Sequence, residues 1–384
     1  MNHLNKLVVE IGERPVGTPA YHQAAAYIRQ IFQSAGLEMQ EVCLDFPNWS
    51  LLDSSLSLNG QSLAVDVNPF SPACDVTAPM VAVSTLTELH AANITDKIAL
   101  LYGDLTKSPV FPMNFEHVQF ERDQTINRLL IEKSPEAILA VNLHPTRRIH
   151  IFEDEDFPLP SATVTTNVGR ELLLNTGEQV HLRISTHTEP SQAVSIIGRR
   201  GSGKRIVLCA HYDTKFGTPG AYDNGTGMAA ILELIETLDA SVSVEFIAWG
   251  DEEYGAHTDL VYAKQTNFND ILCAINLDAI GLLTENTSIT MFSHSPAFEH
   301  AIHQITADYP AVVWIDPWIQ SNHFTFFSRG VPTIALSSLT FERTHQADDS
   351  IEWVNPQKVD ESIALVKDII KLVQSQAADW TRDA

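Results

Sequence analysis

The second half of this chain contains a series of short, almost unbroken apolar runs, each closed by an acid or a histidine. RIVLCA runs into His211 and Asp213, VEFIAWG into Asp251, Glu252 and Glu253, CAINL into Asp278, and IALSS is followed by His345. Runs that are apolar on both faces suit strands of a sheet covered on both sides. Between them, Met228, Ile231, Leu232, Ile235 and Leu238 recur at helical spacing. The alternation predicts an α/β fold with a mostly parallel central sheet flanked by helices. Residues 21–36 predict a further helix, with Ala25, Ile28, Ile31 and Phe32 on one face and Gly36 as its stop, and residues 356–377 predict another.

From about residue 51 to 187 the texture changes. Short β-rich pieces such as KIALLY and AILAVNL are separated by Pro, Asp and Asn. This predicts a separate, mostly β domain at 56–187, inserted into a domain built from 1–55 and 188–384. The segment GRRGSGKR at 198–205 approaches a phosphate-binding loop, but Arg205 stands where Ser or Thr belongs and a strand follows it, so a hairpin turn is predicted. With 24 Lys and Arg against 48 Asp and Glu, the formal net charge of −24 excludes the basic face that a nucleic-acid binder needs. No apolar run approaches the roughly 18 residues of a membrane span. The opening residues lack the basic and apolar regions of a secretory signal. Cys209 and Cys273 lie inside apolar runs and no C-x-x-C occurs, so reduced core cysteines and a cytoplasmic location are expected.

In an open parallel sheet, ligands bind at the carboxyl ends of the strands. Here those ends carry two imidazoles and several carboxylates, and the loop before the helix at 228–238 adds Asp223. Converging carboxylates in a buried site drive one another's pKa upward unless a cation is present. A divalent metal relieves that conflict. Mixed nitrogen and oxygen donors without thiolate suit Zn²⁺, and an open coordination position lowers the pKa of bound water to about 7. A His-x-Asp after one strand, or an adjacent Glu pair, is commonplace taken singly. The complete ordered set is specific.

That set resembles the zinc aminopeptidase family with two co-catalytic metals, which includes bacterial leucyl aminopeptidases and glutamate carboxypeptidase. The matching segments are AHYDT at 210–214, PGAYDNGTG at 219–227, DEEYG at 251–255, NLDAIG at 276–281, SNHFTF at 321–326 and HQADDS at 345–350, and ERPVGTPA near the start is similar to the family's opening element. The resemblance implies two zinc ions, with Asp223 as the bridging carboxylate, His211 and Asp278 on one metal, and Glu253 and His345 on the other. It further implies that Glu252 is the general base, that Asp213 orients His211, and that the peptide bond after Asp223 is cis. The implied activity is removal of N-terminal residues from peptide substrates. The middle region resembles a protease-associated domain through DKIALLYGD and EAILAVNL.

The chain also departs from the family pattern. Thr258 and Asp259 stand where Gly-Ser is frequent, and Asp259 is read as a cap of the helix that follows. Asn322 stands where Asp is usual. His323 is a candidate for stabilising the oxyanion. Two other enzymatic readings remain: a glutaminyl cyclase with a single zinc, against which the inserted domain argues, and a glutamate-type carboxypeptidase in which Arg343 would pair a substrate carboxylate. A catalytically dead receptor on the same fold would be expected to lack metal ligands, and every one is present here.

Overall fold

The computed structural model describes residues 1–114, 120–338, 340 and 342–382. It divides into two compact units, Met1–Phe46 with Ser191–Ala384, and Pro47–Pro190. Both crossings fall inside long strands, Glu38–Leu58 and Gln179–Arg200. No local break in composition marks them, because a strand that continues through a boundary keeps its alternation.

The sheet of the first unit contains β1 (Gln179–Arg200), β2 (Arg205–His211), β3 (Val244–Trp249), β4 (Ile271–Leu277), β5 (Thr287–Phe292), β6 (Val312–Trp314) and β7 (Thr333–Ser338). Their spatial order is β6-β5-β7-β4-β2-β3-β1. The four strands β7, β4, β2 and β3 run parallel, while β1 and β5 pair antiparallel with β3 and β7. The mostly parallel sheet read from the apolar runs is therefore present, with mixed edges. Every residue of β3 and β7 is buried, as is every residue of β2 after Arg205, which is why these segments are mostly apolar; the buried exception on β3, Glu245, pairs with Arg199 and Arg205.

The segment 198–205 is not a hairpin. Its turn joins β1 to β2, but β3 lies between them and pairs with both. Turn chemistry reports only the local chain reversal, not which strand later occupies the gap.

The longer helices of this unit are α1 (Pro19–Ser34), α2 (Thr226–Thr237), α3 (His257–Gln265), α4 (Pro296–Thr306) and α5 (Pro356–Gln374). The Thr18 side chain accepts from the Tyr21 N–H and Pro19 opens α1, while Asn355 and Pro356 do the same for α5. Gly36, past the end of α1, has φ 69°, the left-handed conformation that makes glycine a helix stop. α2 approaches the end of β4 so closely that a Cβ on Gly227 would lie 2.3 Å from Leu277 O.

In the second unit, strands Cys74–Val83, Ile98–Leu101, Ala137–Asn142 and Ser161–Thr165 are parallel neighbours. Strand predominates, as expected, but helices Leu86–Ala91, Glu121–Lys133 and Thr166–Leu174 accompany it. Ile98 to Leu101 and Ala137 to Ala140 are fully buried at its centre. Among the described residues no helix is long and apolar enough to cross a membrane. All four cysteines are free, and Cys209 and Cys273 are buried as expected.

Candidate metal and active site

The strand register sets the site. Trp249 on β3 pairs with His211 on β2, and Asn276 on β4 with Cys209, so the parallel strands end nearly level and release their polar residues at one edge. His211, Asp223, Glu252, Glu253, Asp278 and His345 all meet there. His211 Nε2 lies 3.2 Å from Asp223 Oδ1, 3.4 Å from Asp278 Oδ1 and 3.9 Å from Glu252 Oε2. His345 Nε2 lies 3.2 Å from Asp223 Oδ2 and 3.0 Å from Glu253 Oε2. The two oxygens of Asp223 thus face different histidines. His211, Asp223 and Asp278 form one group able to hold a metal, and Asp223, Glu253 and His345 form another.

Electrostatics show how much positive charge this cluster calls for. Burial pushes the Glu252 carboxyl well above the usual range, and Glu253 and Asp278 add to the rise while His211 opposes it. Burial raises Glu253 as well. For His211, burial works against protonation, but Glu252 and Asp278 overcome it and raise the imidazole well above its ordinary value. Burial likewise opposes ionisation of Asp223, yet His211 and His345 hold that carboxyl far below its ordinary value. His211 Nε2 and Glu253 Oε1 are buried without hydrogen-bond partners, and buried polar atoms are ordinarily paired. The donors and the two orphaned atoms fit divalent zinc, with neutral imidazole and ionised carboxylate as ligands.

Loops carrying these residues are tied together by groups that do not face the cluster. Asp213 accepts from the N–H groups of Glu252 and Glu253 at 3.3 and 3.0 Å, and its Oδ1 lies 3.4 Å from His211 Nδ1. It therefore contacts both the imidazole and the glutamate loop. The peptide bond from Asp223 to Asn224 is cis. Asn224 donates to Leu277 O and accepts from Gly227 and Ala279 N–H, linking the Asp223 segment to the end of β4. His345 has φ 62°, and Ala279, next after Asp278, has φ 56°. Left-handed backbone at non-glycine residues is uncommon and gathers at functional sites.

Two further groups lie in the matched segments HQADDS and ERPVGTPA, where the sequence assigned them no role. Asp349 accepts from Tyr222 and Asp223 N–H at 2.7 and 3.0 Å, joining the His345 loop to the Asp223 loop; burial pushes its carboxyl up to about 7. Arg14 is fully buried and donates to the carbonyls of Leu7, Gly12, Tyr212, Pro219 and Gly220 at 2.6 to 3.1 Å. Burial lowers its pKa to about 10, so it stays charged at neutral pH. Arg14→Ala is expected to cost at least about 3 kcal/mol, because hydrogen bonds to a charged donor contribute more than neutral ones and the freed carbonyls stay buried. The midpoint of urea unfolding measures this, and an unchanged midpoint would refute it.

The departures from the family pattern are partly accounted for. Asp259 does not cap α3, whose N-cap is Ala256. It accepts instead from Asn322 Nδ2 at 3.0 Å and Thr325 Oγ1 at 2.8 Å. A carboxylate at 259 and an amide at 322 form a matched pair, so the unusual residues explain each other. His323 Nε2 lies 2.8 Å from Trp318 O, and burial lowers the ring's pKa to about 4. A neutral ring facing a carbonyl carries its proton on Nε2, leaving Nδ1 as an acceptor; His323 thus has no donor to offer an oxyanion. Arg343 pairs with Asp348 and lies 3.3 Å over the Trp353 ring, so its guanidinium is already engaged.

Residues 194–370 match the profile of Peptidase family M28. Among curated proteins, the chain is 26% identical over 271 residues to the probable lipoprotein aminopeptidase LpqL of Mycobacterium tuberculosis, covering 66% of this chain and 52% of that protein. It is 23% identical over 301 residues to aminopeptidase YwaD of Bacillus subtilis, covering 74% and 62% respectively. The matches thus span about half to three-fifths of these relatives' length. Among solved structures, BSAP, a zinc aminopeptidase from Bacillus subtilis, superposes with a TM-score of 0.77 at 18% identity, over 100% of this chain and 97% of that one. The aminopeptidase from Aneurinibacillus sp. strain AM-1 gives 0.75 at 17% identity, over 100% and 94%. At these identities the likeness concerns the fold.

Proposed function

We propose that this chain, whose residues 194–370 match Peptidase family M28, is a zinc aminopeptidase with two co-catalytic metals, acting on peptides with a free amino terminus. The observation that carries the reading is the division of Asp223, with one oxygen toward His211 and the other toward His345. His211 and Asp278 would hold one zinc, Glu253 and His345 the other, with Asp223 shared between them. Bound there, two zinc ions supply Lewis-acid polarisation of a scissile carbonyl and a lowered pKa for the attacking water.

The rest of the chemistry falls to the chain's own groups. Glu252 takes a proton from the attacking water and passes it to the departing amine, a role suited to a carboxyl whose surroundings raise its proton affinity. Asp213 positions both the His211 ring and the backbone of the glutamate pair. The side chain of His345 is 43% exposed, the most open member of the cluster, and marks the side from which a peptide approaches. The second unit is read as a protease-associated-like insertion, supported by the first unit being assembled from chain on both sides of it.

Leucine p-nitroanilide tests the activity directly. The expected result is release of nitroaniline by the zinc-loaded protein, with no cleavage of the N-acetylated substrate. Cleavage of N-acetylated dipeptides would support the carboxypeptidase reading, and conversion of glutaminyl peptides to pyroglutamate without chain cleavage would support the cyclase.

A further inference from the structure

Among the described residues, one other group of side chains outside the central cluster has metal-ligand geometry. His3, on the short helix Asn2–Asn5, meets Glu233 and Glu236 of α2, with one ligand atom from each within 4.8 Å of the others. Glu233 and Glu236 are three residues apart on a helix and so share a face. They also lie at the carboxyl-terminal end of α2, where the helix dipole disfavours anions and no basic residue occupies the last turn. Among the described residues, the Glu233 carboxylate has no hydrogen-bond or ion-pair partner. Two carboxylates at the negative pole of a helix therefore lack a full counter-charge.

His3 is only 6% exposed and its ring is fixed. Nδ1 lies 2.7 Å from the Tyr27 hydroxyl, and Nε2 faces Glu236 Oε2 at 3.5 Å. Donation from Nδ1–H to the Tyr27 oxygen puts the free lone pair on Nε2, directed at the two carboxylates. Metal-binding histidines are commonly oriented in this way by a partner on the opposite nitrogen. Glu236 is half exposed, so water can fill the remaining coordination positions.

We propose that His3, Glu233 and Glu236 form an additional divalent-metal site, of one nitrogen and two carboxylate donors, that takes Zn²⁺ and fastens the N-terminal helix to the end of α2. The donor set suits zinc and other first-row divalent ions better than calcium, which prefers oxygen ligands alone. With only three protein donors, one of them exposed, it binds more weakly than the central cluster.

The test is calorimetric titration of ZnCl₂ into the protein already saturated at its tight sites, comparing wild type with Glu236→Gln and His3→Gln. The wild type is expected to bind one further equivalent, weakened at least tenfold in both variants, while aminopeptidase turnover stays unchanged. Glu236 is exposed at the surface, so Glu236→Gln keeps the test interpretable if His3→Gln perturbs folding. The same number and affinity of zinc equivalents in wild type and Glu236→Gln would overturn the proposal, as would the absence of a further equivalent in the wild type.

Discussion

Glu252→Gln is expected to lower kcat by about 10³-fold, within the range that a positioned general base contributes, while leaving bound zinc and thermal unfolding unchanged. The substitution preserves size and shape but removes the group that accepts a proton. Metal retention is the informative part. Glu252 lies 3.9 Å from His211 Nε2, farther than Asp223 or Asp278, and its backbone N–H is held by Asp213 whichever side chain is present. Full turnover in the variant would remove Glu252 from the mechanism. Loss of zinc together with activity would make it a ligand instead.

The second large effect is expected from Asp223→Asn. One carboxylate faces both histidines, so neutralising it removes charge from two metal positions at once. Bound zinc is expected to fall below one equivalent per chain, with turnover reduced by at least about 10³-fold, since both Lewis-acid polarisation and water activation depend on the metals. Metal analysis after dialysis reads this together with the rate. Two retained equivalents would show that Asp223 does not bridge. The backbone here is held independently by Asp349 and Asn224, so the variant is expected to fold.

Residues that release chemistry from strand ends were legible in the sequence because burial on both faces makes a strand apolar and leaves its polar terminus conspicuous. His211, Asp278, the Glu252 and Glu253 pair and His345 stood out this way, and Asp223 in the loop before α2. Arg14 and Asp349 lie inside the matched segments ERPVGTPA and HQADDS, but what they hold together was not legible. Each acts through main-chain atoms far away in sequence, as where Arg14 Nε donates to Tyr212 O, and neither belongs to a periodic pattern. Asp259 and Asn322 each read as a departure when taken singly; their meaning lies in a contact between α3 and the loop before Phe324. The turn at 198–205 was recognised but misassigned as a hairpin, because the intervening β3 comes from a segment some forty residues downstream. The unit boundaries fell inside strands that continue across them, so texture alone put them nine and three residues away.

The most direct test of the account is an anomalous difference map at the zinc edge from crystals of the zinc-loaded protein. Two peaks are expected in the central cluster, one among His211, Asp223 and Asp278 and the other among Asp223, Glu253 and His345, with Glu252 outside both coordination shells. A single peak in that cluster, or two peaks with Glu252 ligating and Asp223 bound to only one, would contradict it.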